Sequence, residues 1–134
     1  MAILITPSSG SLQSTIITHV TSSISAGNSE DLTIAAGDIF HLLAITASTP
    51  AWVRVYGTSS ARAADTRTSP GGNVPSPGND YYAEVATTNA PQTIRFSPVP
   101  LVQGTSGNAF IRVKNTDTSS RIITLDFSIF TLEN

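Results

Sequence analysis

The side chains that could carry chemistry in this chain are few and thinly spread. There are two histidines, His19 and His41, nine acidic residues and no cysteine. Nucleophilic or metal-assisted catalysis needs such groups clustered, and here, apart from the adjacent Glu30 and Asp31, they stand singly along the sequence. Glu84 and Asp126 are a conceivable carboxylate pair for glycoside hydrolysis, but nothing in their spacing brings them to one cleft. His41 lies in the most apolar segment and reads as a hydrogen-bonded core residue, whereas His19 on a Thr-rich segment reads as exposed. Gly71-Gly72 sits between Pro70 and Asn73 and opens no helix, so it makes no phosphate loop. Asn73, Asn79 and Asp80 could offer oxygens to calcium, although turn formation is the plainer use of these residues. The expectation is a protein that is not an enzyme and holds no metal or cofactor.

The richest stretch runs from Ala51 to Arg67. Ala51, Val53 and Val55 alternate with Trp52, Arg54 and Tyr56, the period of a strand with one buried face. A polar loop follows, with Arg62, Asp65 and Arg67. The buried face belongs to the core, which leaves Trp52, Arg54 and Tyr56 pointing outward. Tyr82, Glu84, Arg95, Phe110 and Arg112 take outward positions on other segments. Three readings of this set stay open: cross-strand pairing such as Arg54 or Arg95 with Glu84, an aromatic and arginine protein interface, or a flat platform on which sugars stack. Arg62, Asp65 and Arg67 suit a local salt bridge that also caps loop backbone groups, with docking onto a partner subunit as the sharper alternative.

The elements that must position these residues are strands. Residues 15–24 alternate as an edge strand, and 32–34 is a short one. Residues 39–47 are apolar on both faces, which marks a central strand, and Ser48-Thr49-Pro50 turns it into a hairpin with the Trp52 strand. Residues 66–80 hold three prolines, three glycines and two asparagines and form a long loop. Strands resume at 81–88 (Ala83 and Val85 inward, Tyr82 and Glu84 outward), at 93–96 and at 110–115. The longest clean alternation closes the series, with Ile123, Leu125, Phe127 and Ile129 on one side of residues 121–132. No helical period stands out. Seven or eight strands without crossover helices predict an all-β, antiparallel two-sheet β-sandwich of jelly-roll-like type over residues 15–134. Residues 1–14 read as a loosely attached N-terminal arm, which is either disordered or lies on a neighbour through its apolar Ile3, Leu4 and Ile5.

Composition narrows the partners. Charged residues make up 12% of the 134 residues, about half the usual share, and serine and threonine fill about a quarter of the chain. A hydroxyl surface repels neighbours weakly, which suits a protein covered by other subunits and equally a plain Thr-rich β-protein. The net charge is −2 with a single lysine, Lys114, so no basic patch exists to neutralise phosphates and nucleic-acid binding is not expected. The opening MAILITPSSG has no basic residue before its short apolar run and does not read as a secretory signal. No apolar run approaches the ~20 residues that span a bilayer, so no membrane partner is expected.

A string of short motifs is similar to a group of small tailed-bacteriophage virion structural proteins: VRVY at Val53 to Tyr56, ARAAD at Ala61 to Asp65, EVATT at Glu84 to Thr88, the Ser97-Pro98 turn, and VKNTD at Val113 to Asp117, followed by an alternating C-terminal strand. The similarity covers about residues 39–132 and leaves out the arm. No catalytic signature is among the motifs. The resemblance implies a non-enzymatic protein of the virion, assembled in the host cytoplasm, with other virion proteins as partners. One version is a head decoration or cement protein that forms a homo-oligomer, with a trimer among the options, and clamps subunits of the major capsid protein. The alternative is a tail, baseplate or fibre component, or a glycan-binding module that contacts the host surface. The residues expected at the interface are Ile3, Leu4, Ile5, Trp52, Arg54, Tyr56, Arg62, Asp65, Arg67 and Tyr82.

Overall fold

The computed structural model describes residues 14–71, 74–75 and 80–134. Within them the chain forms nine strands and one short helix: β1 (Thr15–Ile24), β2 (Ser29–Ile34), β3 (Ile39–Ala47), β4 (Ala51–Tyr56), α1 (Ser59–Ala64), β5 (Tyr81–Ala86), β6 (Gln92–Arg95), β7 (Leu101–Gln103), β8 (Ala109–Asn115) and β9 (Arg121–Glu133). One sheet runs β1-β9-β3-β6, with β7 also paired to β3, and the other runs β2-β8-β4-β5. Every pairing is antiparallel. The partnerships are nested: β1 with β9, β2 with β8, β3 with β6 and β7, β4 with β5. The chain is thus one long hairpin rolled into two sheets, which is the jelly-roll topology. Its core lies between the sheets, where Phe40, Leu42, Ile45, Val53, Val55, Ile111, Val113, Ile123, Leu125 and Phe127 are fully buried.

The alternation read from the sequence sets the inward faces of β4, β5, β8 and β9, and β1 and β3 take the edge and interior places expected of them. Three features differ. The Ser48–Pro50 turn does not close a hairpin, because β3 and β4 lie in different sheets and both flanks of each are occupied by other strands. The strand series gains β7, a three-residue piece set apart from β6 by Pro98 and Pro100. Residues 59–64 are helical. Thr58 caps α1 by accepting a hydrogen bond from Ala61 N–H at 3.1 Å, and its three alanines are strong helix formers. At under two turns the helix is too short to show a period.

Candidate functional site

The outward face of the four-stranded sheet carries three side-chain rows. Across β2-β8-β4-β5 they read Ser29, Lys114, Trp52, Ala86; then Asp31, Arg112, Arg54, Glu84; then Thr33, Phe110, Tyr56, Tyr81. The middle row sets Arg112 and Arg54 directly opposite each other, an arrangement of like charges that costs energy unless anions stand close by. Asp31 takes Arg112 Nε at 2.7 Å and Nη2 at 3.2 Å. Asp65 comes from the segment after α1, which folds back over the sheet. Its Oδ1 accepts from Arg67 N and Nε, while its Oδ2 accepts from Tyr56 Oη and Arg67 Nη2. Arg67 Nη2 also reaches Glu84 at 2.8 Å, and Tyr81 Oη donates to the same carboxylate.

This covering segment overturns the expected exposure of the Trp52 face. Trp52 and Tyr56 are 0% exposed and Arg54 is 2% exposed, so all six residues of β4 are buried on both sides of the sheet. The direction of these side chains, away from the sandwich core, agrees with the alternation. The lid is held by ionic and backbone contacts: Arg62 Nη1 to Leu32 O at 2.9 Å, Arg112 Nη1 to Asp65 O at 3.0 Å, and Lys114 Nζ to Thr68 O. The Arg54 guanidinium stacks 3.6 Å from the Trp52 ring centroid, with Arg67 5.3 Å from the same ring. The expected salt bridge among Arg62, Asp65 and Arg67 forms between Asp65 and Arg67, whereas Arg62 pairs with Asp31 at 3.5 Å and lies over Phe110. Trp52 and Tyr56 therefore cannot meet a partner without displacing the 57–71 segment, and Arg54 keeps only the edge that lines an adjoining cavity.

Tyr82 is a second correction. A bulge between Val55 and Tyr56 in the β4–β5 pairing sets Tyr81 opposite Tyr56. Tyr81 joins the ionic cluster, and Tyr82 turns to pack against the core between the sheets. Ile3, Leu4 and Ile5 lie outside the described residues, as do Asn73 and Asn79 of the calcium reading. Arg95 and Asp126 stand on the five-stranded sheet, apart from Glu84 on the other sheet. His41 is half-buried, and its Nδ1 has no hydrogen-bond partner among the described residues, contrary to the hydrogen-bonded core role expected of it. Asp31, Arg112 and Tyr81 belong to the cluster but were not among the expected site residues. The outward parity of Arg112 in residues 110–115 was the one local signal, and only the register between strands reveals its neighbours.

The electrostatics follow from burial. Desolvation would raise the Asp65 pKa, but hydrogen bonds from Arg67 and Tyr56 outweigh it and hold the carboxyl well below the usual range. Burial, followed by the hydrogen bond to Asp65, pushes the Tyr56 hydroxyl up, and burial does the same to Tyr81 beside Glu84. The Arg112 hydrogen bonds lower the Asp31 pKa. Beside this network an open cavity of about 500 Å³ is lined by Arg54, Arg67, Arg112, Asp31 and Asp65, together with Ser29, Ala63 and Thr66. No group of three or more His, Cys, Asp or Glu side chains able to hold a metal occurs among the described residues.

The outer face of the five-stranded sheet has the opposite character. Ile16, Val20 and Ile122 are 64%, 57% and 59% exposed. Val20 faces Thr124 across the β1–β9 ladder, with Ile122 one step along the same face, so the two are diagonal neighbours. Further along, His41 is in register with Phe130 on one side and Leu101 on the other, and Leu101 is also exposed. Between the apolar ends lies a hydroxyl row, Thr18, Asp126, Thr46 and Thr93, tied by Thr18 Oγ1 to Asp126 and by Thr46 to Thr93, both at 2.6 Å.

No family model and no curated protein matches this chain.

Proposed function

We propose that the chain is a non-enzymatic structural protein of a tailed-phage particle, of the capsid-decoration class, that docks the outer face of its five-stranded sheet onto neighbouring copies or other virion proteins. The observation that carries this reading is the exposed apolar set Ile16, Val20 and Ile122 on β1 and β9, continued by Leu101 and Phe130 and interrupted by Asp126 and, on β6, by Arg95. Apolar residues exposed together on one sheet face are a feature of docking surfaces, and depletion of charge is what distinguishes the centre of an interface. A standard contact covers roughly 800 Å² per partner, within reach of one sheet face, and symmetry multiplies weak contacts into firm attachment. The phage assignment itself rests on the motif string between residues 39 and 132. Jelly rolls occur in viral coat and lectin domains alike, so the fold adds only analogy. A sugar platform on Trp52 and Tyr56 is disfavoured because both rings are covered.

The test compares the purified chain with a Val20→Glu/Ile122→Glu double variant by light scattering after size exclusion. Both substituted side chains are exposed, so the variant retains the fold and its β-type circular dichroism. The expected outcome is an oligomer for the natural chain and a monomer for the variant, with only the natural chain adding to purified phage heads. A natural chain that stays monomeric and ignores the heads would sink the reading.

A further inference from the structure

Counted over its guanidinium and carboxylate groups, the ionic cluster over the four-stranded sheet is one negative charge short; Lys114 on the same face is not part of the cavity lining and donates to the Thr68 carbonyl. Four guanidinium groups, Arg54, Arg62, Arg67 and Arg112, face three carboxylates, Asp31, Asp65 and Glu84. The shortfall falls on Arg54. It is 2% exposed, and its Nε and Nη1 have no hydrogen-bond partner among the described residues. The nearest carboxylate oxygen, Asp65 Oδ2, is 3.6 Å from Nη1, beyond good hydrogen-bond length. Asp65 has little left to give, since both its oxygens already accept from Arg67 and one also accepts from Tyr56. Arg112, opposite Arg54 in register, is committed to Asp31 and to the Asp65 carbonyl. A buried guanidinium with unmet donors is an arrangement that proteins do not keep without a counter-group. The cavity of about 500 Å³ beside the network is lined by Arg54 and gives such a group a place.

We propose that this cavity is a binding site for a single carboxylate group, held by Arg54 and entering beside Ala63 of α1. One negative charge restores the balance of the cluster, and a planar carboxylate matches guanidinium donors in a way that a spherical halide does not. A dianion would overcharge a site that already contains Asp31 and Asp65. The carboxylate either belongs to a small free acid or hangs from another protein chain, and the chemistry of recognition is the same. This inference stands apart from the docking role of the opposite sheet.

Trp52 is the only tryptophan and stacks on Arg54, so intrinsic fluorescence reports occupancy directly in the natural protein. Sodium acetate, N-acetylglutamate amide, N-acetylglutamine amide, sodium phosphate and sodium chloride are titrated at constant ionic strength. Acetate is expected to change Trp52 emission saturably and to raise the melting temperature, while chloride and the neutral glutamine analogue do neither. Binding of the glutamate analogue as well assigns the carboxylate to a protein side chain, and binding of acetate alone assigns it to a small acid; both support the site. An Ala63→Leu variant fills the cavity from the exposed surface of α1 without touching the ionic network, and it should weaken acetate about tenfold or more at unchanged melting temperature. The proposal is overturned by an acetate response no larger than that of chloride, by phosphate binding as tightly as acetate, or by an Ala63→Leu variant that binds acetate like the natural chain.

Discussion

Asp65 holds together groups that are far apart in the sequence. It takes the Tyr56 hydroxyl from β4, both sides of the Arg67 guanidinium, and the field of Arg54, while 3% exposed. Removing its charge leaves Arg54 and Arg67 buried without their main counter-ion, so Asp65→Asn should cost about 3–5 kcal/mol in urea unfolding at neutral pH. The same residue sets the acid limit. Its folded pKa is depressed below the unfolded value of about 3.9, so its contribution is complete above roughly pH 5 and is lost as pH falls through that unfolded value and below. Asp31 shifts in the same direction, but its carboxylate is 42% exposed and screened, so it adds less. Urea midpoints measured from pH 7 down to about 2 should fall steeply for the natural chain and more gently for Asp65→Asn. Parallel slopes would show that the carboxylate is not the acid-sensitive group.

At the scale of elements, the two sheets and the covering segment meet at Gly57. Its N–H donates to Asp80 O, and its carbonyl accepts from Thr105 Oγ1, both at 2.8 Å. A Cβ here would collide with the Gln103 carbonyl of β7 and come within 2.9 Å of Tyr82 Cε2. Backbone cannot swing aside as a side chain can, so Gly57→Ala should destabilise by about 1–3 kcal/mol, read as a lower urea midpoint. An unshifted midpoint would mean that β4 and β7 can separate there without cost. This junction also shows where the sequence stops being legible. Alternation in β4 and β9 told which side chains face the core, because that is a local property of a pleated strand. What covers the other face of β4 was not legible, because the cover is a polar segment that reaches back through Arg62 and Arg67 to carboxylates and carbonyls on β2, β5 and β8, and through Asp65 to the Tyr56 hydroxyl of β4. Tyr82 was misplaced for a related reason: one bulged residue reverses the parity of everything before it, and no residue type marks it. The Ser48–Pro50 turn likewise reads the same whether the next strand pairs or crosses to the other sheet.

For the whole molecule, the consequence is two outer faces with different uses. The four-stranded sheet is covered by charged side chains drawn from 57–71 except at the cavity beside Ala63, and the five-stranded sheet is left with isoleucine, valine and threonine, besides Asp126 and Arg95, in the open. The edge strands β1 and β2 give a way to tell whether that asymmetry is functional. Among the described residues each borders one sheet and is paired on one flank only, β1 with β9 and β2 with β8. In a monomer their amides should exchange with solvent at comparable rates, well ahead of β3, β4, β8 and β9, which are paired on both flanks. If the face bearing Ile16, Val20 and Ile122 is covered by neighbours, β1 acquires protection that β2 lacks. Hydrogen exchange read by mass spectrometry should then show β1 slowed in the natural chain relative to the Val20→Glu/Ile122→Glu variant, with β2 unchanged between them. Equal rates for β1 in the two proteins would place the contact surface elsewhere, whatever the oligomeric state.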